Sequence, residues 1–129
     1  MKIKTSELID QTLDLAVSIA LGCRPEKDFH SHGMTWNGWW ETAAYIDTKP
    51  NEYRRVPKYS TDWSKGGQII EWERISVIDV DGYDFWKADK LNKEAIPVIN
   101  YGPTPLIAAM RCYVASKLGD EVEIPEELQ

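Results

Sequence analysis

The closing stretch of the chain most constrains its fold, because residues 104–118 carry every local signal that a helix needs. Thr104 is a suitable N-cap, and Pro105 follows at the first helical position, where its missing N–H costs nothing. Apolar side chains then recur every three or four residues as far as Leu118, and Gly119 suits the position just beyond a helix end. Because these signals agree, the sequence predicts a helix over residues 104–118.

A second main helix is predicted near the start of the chain, over residues 6–21. Thr5 or Ser6 can cap it, a broad apolar face runs through it, and Gly22 ends it. In the closing helix, Arg111 lies off the apolar stripe, so we expect a solvated charge there.

Strand patterns lie between the two helices. Residues 75–80 and 83–88 alternate around Asp81–Gly82, which predicts a β-hairpin. A third short strand is expected near Ile96–Ile99, with Pro97 favouring a sheet edge, and Met1–Lys4 has the alternation of a short strand. The fold class predicted is therefore α+β, a small antiparallel sheet flanked by two main helices, in a single domain over residues 1–129.

The middle of the chain has weaker signals. The polar residues 23–33 are typical of a loop, and residues 34–48 predict one or two strands around a turn at Asn37–Gly38. Residues 48–59 resemble an exposed connection. Ser60 or Thr61 can cap a short helical turn, after which Gly66–Gly67 allows a sharp change of direction.

Composition excludes some functions. The net charge of −6 argues against binding duplex DNA, which needs a basic footprint. Cys23 and Cys112 have no metal-ligand spacing, so two reduced, buried thiols are expected. The first residues do not form a signal peptide, and no apolar run is long enough to span a membrane. These features predict a cytoplasmic protein that contacts no membrane.

Three segments together resemble the NinX-type proteins of lambdoid phages and prophages. They are MKIKTSEL…LDLAV at the start, YSTDWSKGGQIIE in the middle and GPTPLIAAMRCYVASKLGDEVEIPEEL at the end. The Tyr-Ser-Thr-Asp core followed by an Ala-rich helix is also similar to small phage α/β/α-sandwich domains. The resemblance implies an accessory phage gene product of unknown function, and it carries over no catalytic residue.

The chain contains no complete catalytic motif. His30 and His32 share a face if their segment is a strand, but they lack a metal-binding frame such as HExxH. Neither cysteine has the setting of an activated thiol, and the Gly66–Gly67 pair lacks a phosphate-loop frame. We therefore expect no catalytic residue, no metal and no cofactor, and whether the protein is an enzyme stays open.

Aromatic and basic residues give the best functional indication. The six tryptophans exceed what the inward positions of a small sheet can hold, so some are expected to be exposed or to line a cleft. Rings of this kind stack on nucleobases, and neighbouring Arg and Lys side chains bind phosphate. Core packing or a protein interface is the competing explanation. The predicted ligand-binding residues are Trp36, Trp39, Trp40, Arg54, Arg55, Tyr59, Ser60, Thr61, Asp62, Trp63, Lys65 and Trp86.

Three functions compete on this sequence. The first is a non-enzymatic, counter-defence phage protein that sequesters a small nucleotide-derived ligand in an aromatic and basic pocket. The second is a protein–protein interaction module that inhibits a host defence or regulatory protein. The third is a small hydrolase that uses His30 and His32. A homodimer or higher oligomer is compatible with each of the three.

Overall fold

The computed structural model describes residues 2–31, 33–42 and 53–124, which form an α+β fold as predicted. The strands are β1 Lys2–Lys4, β2 Arg24–Ser31, β3 Met34–Thr42, β4 Tyr53–Arg55, β5 Ser76–Asp79, β6 Trp86–Leu91, β7 Pro97–Gly102 and β8 Glu121–Glu123. The helices are α1 Asp10–Ala20, α2 Trp63–Glu73 and α3 Pro105–Leu118, and a 3-10 turn covers Thr5–Glu7.

The strands of the described residues form three small antiparallel sheets instead of one. They pair as β1 with β8, as β2–β3–β4, and as β5–β6–β7. The predicted hairpin is confirmed as β5 and β6, but its second strand begins at Trp86 instead of residue 83, so residues 80–85 connect the two strands. The predicted strand near residues 96–99 is confirmed as β7, which lies at a sheet edge. The predicted strand at the start is confirmed as β1.

Helix α3 is the centre of the core. It covers one face of the β5–β6–β7 sheet and also packs against α1 and α2. Its buried residues include Leu106, Met110 and Val114, which belong to one hydrophobic cluster with Leu13 and Val17 of α1. The opposite face of the sheet exposes large side chains of the described residues.

The two predicted main helices are confirmed, one with a later start. Helix α3 begins where its signals placed it, since the Thr104 hydroxyl accepts a hydrogen bond from the N–H of Ile107 at 3.1 Å. In place of a helix from residue 6, a 3-10 turn is followed by extended backbone at Leu8 and Ile9. Asp10 at φ 50° separates that segment from the body of α1.

The loop expected over residues 23–33 is wrong, because strand β2 occupies most of that segment and pairs with β3. The turn expected at Asn37–Gly38 is also wrong, since both residues lie within β3. The Asp28 carboxylate accepts a hydrogen bond from the N–H of Gly38 at 2.6 Å, and the pairing of the strands shifts at that point. Gly38 has a φ of 95°, so its glycine serves an irregular strand and not a hairpin turn.

The connection expected over residues 48–59 contains strand β4, and residues 43–52 lie outside the described part of the chain. Helix α2 was missed as a full helix. Its N-cap is Asp62, whose carboxylate accepts from the N–H of Ser64 at 2.9 Å, in place of the expected Ser60 or Thr61. Gly66–Gly67 lies inside this helix and produces no change of direction.

Candidate functional site

Strand β4 and the segment that follows it divide the predicted site into two cavities. Arg54 and Arg55 are neighbours on an extended strand, so their side chains point to opposite sides. We call the two spaces the Asp14 cavity and the Trp72 cavity. The Asp14 cavity has a volume of about 370 Å³ and is lined by Asp10, Gln11, Asp14, Leu15, Trp39, Arg55, Val56, Lys58 and Thr61. The Trp72 cavity has about 240 Å³ and is lined by Leu21, Arg54, Pro57, Tyr59, Lys65, Gln68, Ile69 and Trp72.

The Asp14 cavity is built around a buried carboxylate. Asp14 of α1 is 8% exposed, and its Oδ1 accepts hydrogen bonds from the Ser60 N–H at 2.8 Å and the Ser60 hydroxyl at 2.7 Å. Burial raises the pKa of Asp14, while the two hydrogen bonds from Ser60 and the charge of Lys58 act in the opposite direction. Ser60 is itself buried, and it positions this carboxylate without lining the cavity.

Cations and an aromatic ring complete the Asp14 cavity. Trp39 of β3 is half-buried, whereas Arg55 and Lys58 are exposed. The Arg55 guanidinium lies 4.5 Å from the centre of the Trp40 ring. The cavity thus combines carboxylates from the first turns of α1 with cations and a ring from β3, β4 and the segment after β4.

A hydrogen-bonded group beside the Trp72 cavity stabilises the fold. Glu41 is completely buried, and its Oε2 accepts from the Arg54 Nε–H at 2.6 Å and from the Tyr59 hydroxyl at 3.1 Å. Burial, together with the nearby charge of Glu41, raises the pKa of Tyr59 well above its ordinary value. Arg54 and Tyr59 are therefore engaged in neutralising and solvating a buried carboxylate.

The remaining predicted site residues do not converge on one place. Trp36 packs edge-on against Trp40 with ring centres 5.8 Å apart. Trp63 is exposed at the start of α2, and Asp62 caps that helix. Trp86 packs against the hydrophobic core from β6. None of these side chains lines either described cavity.

Sequence reasoning missed the acidic wall of the Asp14 cavity. Asp10, Gln11 and Asp14 lie on the polar side of an amphipathic helix, where solvated side chains are the ordinary expectation. The only local signal was the unusual placement of Asp14 directly between Leu13 and Leu15. Its partner Ser60 is 46 residues away along the chain, so no short motif joins the two.

Arg111 corrects another expectation. It was predicted to be solvated, yet it is partly buried and donates to the carbonyl of Leu8 at 2.8 Å and to that of Tyr101 at 2.9 Å. Desolvation lowers the pKa of Arg111. The side chain thus ties α3 to the segment before α1 and to β7, and it lines a further cavity of about 350 Å³ with Phe85 and Tyr101.

The histidine and cysteine residues show no metal geometry in the described part of the chain. His30 is exposed on β2, with its Nδ1 3.0 Å from the Thr35 hydroxyl, and His32 lies outside the described residues. Across residues 2–31, 33–42 and 53–124, no three His, Cys, Asp or Glu side chains gather as metal ligands would. Cys23 and Cys112 are buried thiols outside any disulfide, as predicted, and burial raises the pKa of Cys112 to about 12.

Comparison with known proteins identifies the family. Among the described residues, no helix is long and apolar enough to cross a membrane. A search of curated proteins finds no match. A family model described as Bacteriophage P22, NinX matches residues 4–117, a range that contains all residues lining the three cavities. Because this match covers most of the 129 residues, the chain belongs to the NinX family of phage accessory proteins.

Proposed function

We propose that this phage accessory protein binds and sequesters a small nucleotide-derived ligand in the Asp14 cavity, and that it thereby counters a host defence signal. The observation that carries the proposal is the meeting of Trp39, Arg55 and Lys58 with the buried carboxylate of Asp14 in one space. Its volume of about 370 Å³ falls within the range of about 300–1,000 Å³ that is typical of small-molecule sites.

The aromatic and cationic side of the cavity suits the base and the phosphate. A ring such as that of Trp39 contributes roughly 1–3 kcal/mol when a nucleobase stacks on it. Arg55 and Lys58 supply charge-assisted hydrogen bonds to phosphate oxygens, which are stronger than neutral ones. Since the protein carries a net charge of −6, two cations on one wall are a local reversal of its overall sign.

The acidic side of the cavity suits a sugar or a base edge. Carboxylates accept hydrogen bonds from ribose hydroxyls and from exocyclic amines, as acidic residues do in dinucleotide sites. Asp14 is held in one orientation by Ser60, so little side-chain freedom is lost on binding. Carboxylates on one wall and cations on another thus orient a ligand that has a phosphate at one end and hydroxyl or amine donors at the other.

Isothermal titration calorimetry with mononucleotides, dinucleotides, cyclic nucleotides and ADP-ribose derivatives tests the proposal. At least one compound should bind and raise the melting temperature. Lys58→Ala and Arg55→Ala should each weaken binding by about tenfold, since each removes roughly 1.4 kcal/mol of charge-assisted contact. Lys93→Ala is the matched control, because Lys93 is exposed in the turn between β6 and β7. A panel without any binder, or equal effects of Lys58→Ala and Lys93→Ala, contradicts the proposal.

A second candidate function is the inhibition of a host protein through α2. Trp63 and Trp72 are 56% and 65% exposed on this helix, and tryptophan is the residue type most enriched in interface hot spots. Trp63→Ala and Trp72→Ala should then abolish capture of one specific host protein, whereas Lys58→Ala should leave it intact. The reverse pattern would favour the ligand-binding function.

A further inference from the structure

The outer face of the β5–β6–β7 sheet is unusually apolar. Residues on the opposite, inner face, such as Ala88 and Asn100, are buried against α3. The outer face carries four large apolar side chains that are each 47% to 58% exposed, namely Ile78, Leu91, Ile99 and Tyr101. Phe85 extends this face and packs edge-on against Tyr101 with ring centres 5.6 Å apart.

An antiparallel sheet with one face on a core normally presents polar side chains to water on the other. Contiguous exposed apolar surface is uncommon on a monomer and usually marks a contact site. Ile99 and Tyr101 are neighbours on this face of β7, and in the pairing of β6 with β7 Tyr101 lies beside Lys87 and Ile99 beside Asp89.

Two opposite charges lie at the centre of this face. Lys87 and Asp89 are two residues apart on the middle strand, so both point outward, about 7 Å apart. In the pairing of β5 with β6, Ile78 lies opposite Lys87 and Ser76 lies opposite Asp89. A charge pair of this kind, with apolar residues on either side, is self-complementary under a two-fold rotation, which is the requirement for an isologous dimer.

We propose that this face is the contact between two copies of the chain. The two-fold axis lies midway between the two sheets, runs perpendicular to β6 and crosses it at the level of Ala88. Rotation about this axis stacks the two β6 strands face to face and antiparallel. Lys87 then faces Asp89 of the partner subunit, and Asp89 faces the partner's Lys87. An axis along the strand would instead place each charge over its own copy, which like-charge repulsion disfavours.

The same rotation matches the apolar residues. Positions equally distant from Ala88 exchange places, so Leu91 lies over Phe85 of the partner subunit. In β7, Tyr101 lies over the partner's Ile99, because these residues are level with Lys87 and Asp89. Sheets packed in this way lie about 10 Å apart, close enough for the side chains of the two outer faces to interdigitate.

Charge reversal provides a direct test by sedimentation and native mass spectrometry. Wild-type protein should be a dimer at about 100 μM, where a contact with a Kd of about 1 μM is saturated. Lys87→Glu alone and Asp89→Lys alone should each be monomeric, because each brings like charges together twice. Mixing the two variants should give a one-to-one heterodimer, since every pair across the interface is then opposite in sign.

The control is Lys93→Glu, which changes a charge in the exposed turn beside this face and should leave the dimer unaffected. Circular dichroism of each variant verifies that it is folded, and both substituted positions are only half-buried. A monomeric wild-type protein, single variants that stay dimeric, or a mixture without heterodimer would each overturn the proposal. Because Lys58→Ala affects only the Asp14 cavity, failure of the dimer and failure of the ligand site are distinguishable.

Discussion

Glu41 is a completely buried carboxylate, and such a group needs a cation and hydrogen-bond donors close to it. Arg54 and Tyr59 meet both needs, at 2.6 Å and 3.1 Å. Glu41 and Arg54 are directly opposite each other on β3 and β4, so the pair also fixes the register of these strands. A carboxylate left without its cation in such a place is strongly destabilising.

We therefore expect Arg54→Met to lower the free energy of unfolding by about 1–3 kcal/mol, below the full value for a buried pair because Arg54 is half-exposed. Adding Glu41→Gln to this variant should recover part of the loss. Urea denaturation of the two single variants and the double variant gives the coupling energy. Strictly additive effects would show that the pair contributes nothing.

The raised pKa of Asp14 predicts that the stability of the fold depends on pH. Burial raises its pKa above the ordinary value of 3.8, so the folded state binds the proton more tightly than the unfolded chain. The stability that this group contributes is complete below the ordinary pKa and is lost as the pH rises through the folded pKa. Asp14→Asn cannot ionise, and it should gain stability relative to wild type as the pH rises from the ordinary pKa of 3.8 towards neutral.

Thermal unfolding of wild type and Asp14→Asn at pH values below and above 3.8 measures the effect. Asp62→Asn is a control of opposite sign, because hydrogen bonds from Ser64 lower the pKa of Asp62. Its wild-type carboxylate stabilises the fold above the ordinary pKa, and that stability is lost as the pH falls. If both variants follow the same trend, the account of Asp14 is wrong.

At the scale of elements, α2 depends on one of its two glycines for close packing. A Cβ on Gly66 would collide with the carbonyl oxygen of Tyr59 and would lie 2.7 Å from Cδ1 of Leu106. A Cβ on Gly67 would meet only the Trp63 ring, at an ordinary 3.5 Å. Alanine substitutions at these two adjacent glycines therefore measure helix propensity and close packing separately.

Gly67→Ala should stabilise the protein by about 0.5–1 kcal/mol, because alanine costs less backbone entropy in a helix. Gly66→Ala should destabilise it by about 1–3 kcal/mol, since the clash outweighs that gain. Chemical denaturation of both variants provides the comparison. Equal and favourable effects would mean that α2 does not approach Tyr59 so closely.

The elements found from the sequence were those whose signals are local. Helix α3 carries its cap, apolar stripe and terminating glycine within residues 104–119, and the hairpin of β5 and β6 carries its own turn. Strand β3 was misjudged because Asn37–Gly38 has the composition of a turn. Its actual role depends on a hydrogen bond to Asp28 on another strand, which no local pattern shows.

The same reasoning explains the partial prediction of the site. Arg55 and Thr61 lie within one predicted cluster and line the Asp14 cavity with Trp39, whereas Arg54 and Lys65 line the Trp72 cavity. Neighbours on a strand point apart, so a cluster in sequence becomes two surfaces in space. That the first turns of α1 line this cavity follows only from tertiary packing.

At the scale of the whole molecule, contacts distant in sequence close the structure. The Thr5 hydroxyl donates to the carbonyl of Gly119 at 2.7 Å across 114 positions, and Arg111 reaches Leu8 across 103. Strands β1 and β8 pair in the same region. Residues near the two ends of the described chain are thus held by the same small set of hydrogen bonds.

These contacts determine the expected order of folding. Joining residues so far apart costs chain entropy that only a nearly complete core can offset, so β1 and β8 should pair after α3 has docked on its sheet. Thr5→Val should cost about 1 kcal/mol and appear as faster unfolding with an unchanged folding rate. Thr104→Val removes a local cap of similar value and should slow folding instead. Stopped-flow kinetics of the two variants separate these effects, and slower folding of Thr5→Val would show that the ends meet early.

If the two ends meet late, every nascent chain passes through a stage in which the core has formed and residues 2–7 are still unpaired, and proteases act on that stage first.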